Sequence, residues 1–291
     1  MRSRETLGLL LGFVGVVIFG ATLPMTRIAV PFLDPVFLSA GRAAVAGLVA
    51  VAVLAALRRR PPPIAAVPRI ALASLLLVGG FPVFSGFAMQ TVPASHGAVV
   101  IGIMPLATAV LGALLLRERP SPAFWLAAVI GSAIIVVFSL RDGGGRIQPG
   151  DLLLVGAIAS ASLGYVLSAD LSRSMPGWEV ISWAVVIALP VSIPLAWATA
   201  PADVAAVPAA AWAAFAYLGV MSQYLGFFAW NAGLAMGGVS RVSQVQLLQT
   251  FVTFGIAALV SGERVDMWTW LAAVAVCAVV LVGRSARIRK Q

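Results

Sequence analysis

Two neighbouring apolar stretches carry most of the side chains that could hold a small polar solute: Gln223, Tyr224, Trp230 and Asn231 in one, Gln244, Gln246 and Gln249 in the next. An amide presents a donor and an acceptor together, so several of them can hold a carboxylate and an ammonium group without any fixed charge. Gln246 and Gln249 are three residues apart and share a helix face, as do Tyr224 and Phe227 one turn before Asn231. Polar groups in such stretches either face the interior of a helix bundle and line a path or hydrogen-bond one helix to another. The residues alone leave both readings open.

Phe19, Phe81, Met104 and Tyr165 would give such a path a soft, apolar wall for side chains of variable size, although each also reads as ordinary packing. Pro24, Pro82 and Pro105 fall inside apolar stretches, where a missing backbone donor loosens a turn and offers a hinge. His96 is the sole histidine and the one side chain that titrates near neutrality as an isolated group. It is therefore the candidate for proton linkage, against the plainer reading of a solvated or hydrogen-bonded histidine at a helix end. Arg27 and Arg42 could attract a carboxylate at the exit, against the plainer reading of snorkelling to an interface. Glu118-Arg119 and Glu263-Arg264 read as locks or latches at helix ends. One histidine, one cysteine (Cys277, inside an apolar run) and acids confined to helix ends supply no catalytic set, no metal cluster and no disulfide. No enzyme activity and no cofactor is expected.

The elements that must position these residues follow from composition. Of 291 residues 61% are hydrophobic and 10% charged, with a mean hydropathy of +1.04. That is too little charge to cover a water-facing surface, whereas roughly 20 consecutive apolar residues cross a lipid hydrocarbon layer. Breaks at charge, Pro and Gly predict ten spans: 6–30, 35–57, 69–92, 94–116, 120–139, 150–172, 178–198, 208–233, 239–261 and 267–283. The Gly8, Gly12 and Gly15 series predicts close helix packing.

The net charge of +9 is not a nucleic-acid signature, because no basic stripe interleaves with exposed aromatics. With the N-terminus inside, fourteen Lys and Arg flank the inner ends of the spans, Arg58-Arg59-Arg60 among them, and four (Arg27, Arg141, Arg146 and Arg264) flank the outer ends. The excess predicts both termini in the cytoplasm. It also sets the connector Gly143-Gly144-Gly145 outside.

Sliding the chain over itself by 145 residues superimposes Glu118-Arg119 on Glu263-Arg264, and Trp125-Leu126-Ala127-Ala128-Val129 on Trp270-Leu271-Ala272-Ala273-Val274. Ser95 and Thr108 meet Ser240 and Thr253 at the same offset. Residues 1–145 and 146–291 thus read as two related halves. An odd number of spans per half turns the second upside down, an arrangement used by alternating-access transporters. The fold class expected is an all-α polytopic membrane protein of ten transmembrane helices in two inverted five-helix repeats.

Phe19-Gly20 followed by Pro24 and Arg27, then Pro35 with Arg42 and Ala46, then Ser95, Pro105 and Leu116-Arg117-Glu118-Arg119 resemble the signatures of the drug/metabolite transporter superfamily. Within it the chain is similar to the ten-helix EamA-type exporters, which include bacterial amino-acid exporters, of the aromatic type among them. Phe19 stands where the family's pattern has Trp, and Gln249-Thr250 where the second repeat often has Pro. The resemblance implies export of amino acids or similar small metabolites across a bacterial-type inner membrane, with lipid as the surrounding partner and no nucleic acid. The small four-helix exporters of the superfamily couple protons through a glutamate in their first helix. Here Glu5 at the very edge of the first span is its only acid, so facilitated export is the leading expectation. Efflux of lipophilic drugs or nucleosides is the rival within transport, an intramembrane enzyme the rival outside it. The oligomeric state is left open, a monomer included.

Overall fold

A backbone in lipid must satisfy its own hydrogen bonds, and this chain does so with helices. The computed structural model describes residues 2–115, 119–120, 122–142, 146–237, 245–285 and 288–289. Helices α1 (Arg2–Gly20) and α2 (Thr22–Ala29) form the first span and α3 (Pro35–Ala56) the second. The third runs through α4 (Val67–Ser74), a π-helical segment Leu75–Gly80 and α5 (Phe81–Ala88). The fourth is α6 (Ala94–Ile101) and α7 (Met104–Leu115), the fifth α8 (Pro122–Asp142), the sixth α9 (Pro149–Leu171) and the seventh α10 (Gly177–Ala198). The eighth combines α11 (Ala209–Tyr217), a π-helical segment Leu218–Leu225 and α12 (Gly226–Gly237). A 3₁₀ turn Gln246–Leu248 leads into α13 (Gln249–Ser261) of the ninth, and α14 (Met267–Ser285) is the tenth. Six of these stretches are long and apolar enough to cross a membrane, and three shorter apolar helices accompany them. The only strand pairing among the described residues joins Arg119–Pro120 to Ile288–Arg289, two residues a side.

Local chemistry sets the ends. Asp34 caps α3, its carboxylate accepting from the amides of Val36 (2.7 Å) and Phe37 (3.3 Å), with Pro35 at the first helical position where no donor is lost. Gln148 and Asp151 form a capping box on α9. Gly262 ends α13 with φ +63°, a left-handed conformation that favours glycine.

The packing of the spans maps onto itself when the two halves are exchanged. The second packs on the seventh, the fifth on the tenth and the fourth on the ninth, while the first packs on the eighth and, correspondingly, the third on the sixth. At Gly233 the first and eighth spans come too close for a side chain: a Cβ there would stand 2.6 Å from the backbone nitrogen of Gly12. The same exchange relates the irregularities. The π segments of the third and eighth spans end at Gly80 and Leu225, and helix resumes in the fourth and ninth spans at Met104 and Gln249. Both pairs are 145 residues apart (225 − 80 and 249 − 104). Glu118, Gly143-Gly144-Gly145, Ser240 and Gln244 lie outside the described residues.

Candidate functional site

The irregular segments surround one cavity. It holds about 820 Å³ of space free of atoms, its open part included. Gly102, at the interruption of the fourth span, and Leu247, at that of the ninth, both line it. So do Leu77 from the first π segment and Ser222 and Gln223 from the second. In membrane proteins non-helical backbone at depth is tolerated where it lines a cavity, and solute sites are built from interrupted helices.

Phe19, Phe81, Met104, Tyr165, Gln223, Gln246 and Gln249 come together on the wall of this cavity, with Pro105 beside them. Phe19 and Phe227 meet edge to face there, ring centres 5.0 Å apart. Three of the residues picked out from the sequence go elsewhere. Tyr224 is fully buried and its hydroxyl bonds Ser182 Oγ at 2.8 Å, against the seventh span. Trp230 packs its backbone on Gly15 of the first span, and Asn231 lies against Gly177 at the start of the seventh. For Tyr224 the cause is the π segment, whose i→i+5 turns shift the phase of the helix, so Tyr224 and Phe227 no longer share a face. Gln244 lies outside the described residues.

The three prolines sit in the first turns of restarted helices. Pro24 follows the interruption at Ala21, Pro82 follows the first π segment and Pro105 follows the break at Gly102–Ile103. At Pro82 the preceding helix is continuous, Phe81 N–H donating to the Leu76 carbonyl, so the proline forgoes a donor where the hydrogen-bond ladder changes register.

Several cavity groups escaped the sequence reading. Arg42, expected to snorkel outward, is 3% exposed and lines the cavity. Its Nη2 donates to Ser222 Oγ at 3.1 Å, and that oxygen is 2.7 Å from Thr22 Oγ1. The signal available was an ionisable residue inside an apolar span, which in membranes marks a function by default. Thr250 Oγ1 donates to the carbonyl of Ala98 (3.3 Å), bridging the ninth and fourth spans. Two repeat-mates make equivalent ties: Thr108 reaches Ser162 Oγ on the sixth span (3.1 Å) and Thr253 reaches the Gly20 carbonyl on the first (2.8 Å).

His96 is away from the cavity, at one end of the bundle. Its Nδ1 lies 2.5 Å from Asp142 Oδ2 and its Nε2 2.6 Å from Asp151 Oδ1, and the ring stands against Phe138. Each ring nitrogen thus has a carboxylate oxygen within hydrogen-bond distance. At the same end the Glu263 carboxylate accepts from the amides of Ala94 and Ser95, both at 2.9 Å, capping the fourth span from the connector between the ninth and tenth. Arg27 donates to the Met89 carbonyl, where the third span finishes. Asp266 caps α14. Hydrogen bonds from the Thr269 hydroxyl and amide hold its carboxyl below the usual carboxylate range.

A family model described as the EamA-like transporter family matches the chain twice, at residues 6–140 and 148–283. Over 99% of its length the chain is 38% identical to Uncharacterized transporter YdeK of Bacillus subtilis (strain 168), all of which is covered. Over 82% of its length it is 26% identical to a Probable terminal-alkyne amino-acid exporter of Streptantibioticus cattleyicolor, covering 83% of that protein. One solved crystal structure shares the fold with a TM-score of 0.63 at 22% identity, covering 97% of this chain and 96% of that one. With two matches that together take in nearly all of a polytopic helical chain, this protein is a member of the EamA-like transporter family.

Proposed function

We propose that this transporter exports amino acids and related small metabolites by alternating access, with the central cavity as the path. The observation that carries the reading is the meeting of five interrupted spans, three from the first half and two from the second, around the cavity. In this reading residues 1–145 and 146–291 are inverted copies, both termini are cytoplasmic, and exchange of their roles opens the cavity to one face and then the other. Gln223, Gln246 and Gln249 meet the solute's polar groups. Phe19, Phe81, Met104 and Tyr165 meet its side chain, and the restarts after Pro24, Pro82 and Pro105 serve as hinges. Among the described residues the cavity wall contains no Asp or Glu, which favours facilitated export over carboxylate-coupled exchange. The distant relative named as a probable terminal-alkyne amino-acid exporter supports the substrate class.

Counterflow of radiolabelled amino acids into vesicles reconstituted with the purified chain tests this directly. Leucine and phenylalanine are expected to exchange. Exchange of lipophilic cations or nucleosides in their place would favour the rival substrates, and chemical conversion of lipid would favour an enzyme. Labelling of the two termini in cells is expected to find them on the same, cytoplasmic face.

A further inference from the structure

We propose that Arg42 is the anion anchor of the cavity, so that the solutes carried bear a free carboxylate and no net positive charge. The inference rests on the reading of the cavity as the transport path.

Arg42 is buried, on the cavity wall, and has no carboxylate partner among the described residues. Its Nη2 is held by the Ser222 hydroxyl, itself fixed by Thr22, while its Nε has no partner at all. A guanidinium carries five donors in a planar fork that matches a carboxylate with two parallel bonds. Here a neutral hydroxyl pair sets the orientation of the fork and leaves most of it uncommitted. An unpaired buried charge is strongly unfavourable unless something neutralises it, and no Asp or Glu among the described residues of the cavity wall does so. The missing counter-ion is therefore supplied by the solute. His96, also buried, shows the contrast, with carboxylates on both sides.

The rest of the wall defines what accompanies the carboxylate. Phe19, Phe227, Phe81, Tyr165 and Met104 suit an apolar or aromatic side chain. An ammonium group finds only neutral acceptors such as the amide oxygens of Gln223, Gln246 and Gln249. Masking the ammonium is thus tolerated and masking the carboxylate is not, and a solute with net positive charge is repelled by Arg42 itself.

The test uses the full chain in reconstituted vesicles, with phenylalanine counterflow as the readout and N-acetylphenylalanine and phenylalaninamide as competitors. N-acetylphenylalanine is expected to compete within a few-fold of phenylalanine, and phenylalaninamide at least about tenfold more weakly, the scale of one lost charge-assisted contact. Arg42→Gln is expected to weaken competition by both carboxylates about tenfold or more while leaving competition by the amide equal or stronger, the repulsion having gone. Arg42→Lys keeps the charge without the fork and falls between. Equal competition by the acid and the amide in the wild type, or unchanged carboxylate competition in Arg42→Gln, overturns the anchor while leaving transport standing. Should Arg42→Gln not fold, the wild-type acid–amide comparison decides. Absence of counterflow for every amino acid and acid tried in the wild type overturns the path reading and the anchor with it.

Discussion

Arg42 and His96 are both buried nitrogen-bearing side chains, yet their surroundings are opposite. His96 sits between two aspartates drawn from the fifth and sixth spans, and every polar atom of its ring is matched. Arg42 sits against one serine hydroxyl at the edge of a cavity, with one nitrogen unmatched. The first arrangement is self-sufficient and acts as a fastener between helix ends. The second is incomplete in the protein alone, which is what a site for a transient solute requires. The same division runs through the fold, since Glu263, Asp266 and Asp151 also complete helix caps at the His96 end, while the interrupted spans gather at the cavity.

The largest effect expected on stability is at the fastener. His96→Ala leaves Asp151 buried without its partner and should lower the unfolding free energy by about 3–5 kcal/mol, read as a loss of melting temperature in detergent. Adding Asp151→Asn should recover part of that loss, and a single-variant cost too small to measure would show that the aspartates are not held by the imidazole. Next comes Glu263→Gln, which weakens the cap on the fourth span. About 1 kcal/mol is expected, visible as faster hydrogen exchange at Ala94 and Ser95, and unchanged exchange there would remove Glu263 from the fastening end. Asp266→Asn is smaller, on the order of 0.3–1 kcal/mol. Because its native carboxyl is held low, the contribution is present above the unfolded-state value and lost only as pH falls through the native one. The difference between wild type and Asp266→Asn should therefore be flat across neutral pH and vanish only in strong acid. Arg42→Met should have the smallest effect on stability, within about 1 kcal/mol of the wild type or on its stabilising side, while abolishing carboxylate-dependent exchange. A melting loss like that of His96→Ala would erase the distinction between the two sites.

Much of this architecture was legible in the residues. The scarcity of charge required lipid-embedded helices, and the repeated Glu-Arg and Trp-Leu-Ala-Ala-Val elements announced two related halves. Gln246 and Gln249 share a helix face and do meet the cavity together. What the chain did not reveal were departures from regular helix. A π segment leaves no mark in residue order, so the turn of Tyr224 toward the seventh span was hidden, while Trp230 and Asn231, further along α12, pack on the first and seventh spans instead. Arg42 was misjudged for a related reason. Whether a cation eight residues into a helix snorkels or turns inward depends on the partner span, here Ser222 from the far half of the chain.

The bridge through His96 also bears on how the molecule is joined. Asp142 closes the fifth span and Asp151 opens the sixth, so the imidazole stitches together the ends on either side of the midpoint connector. Covalent continuity there duplicates a link that the side chains already make. A gene cut between these two aspartates, its fragments expressed side by side, should still yield matched partners that find and hold each other.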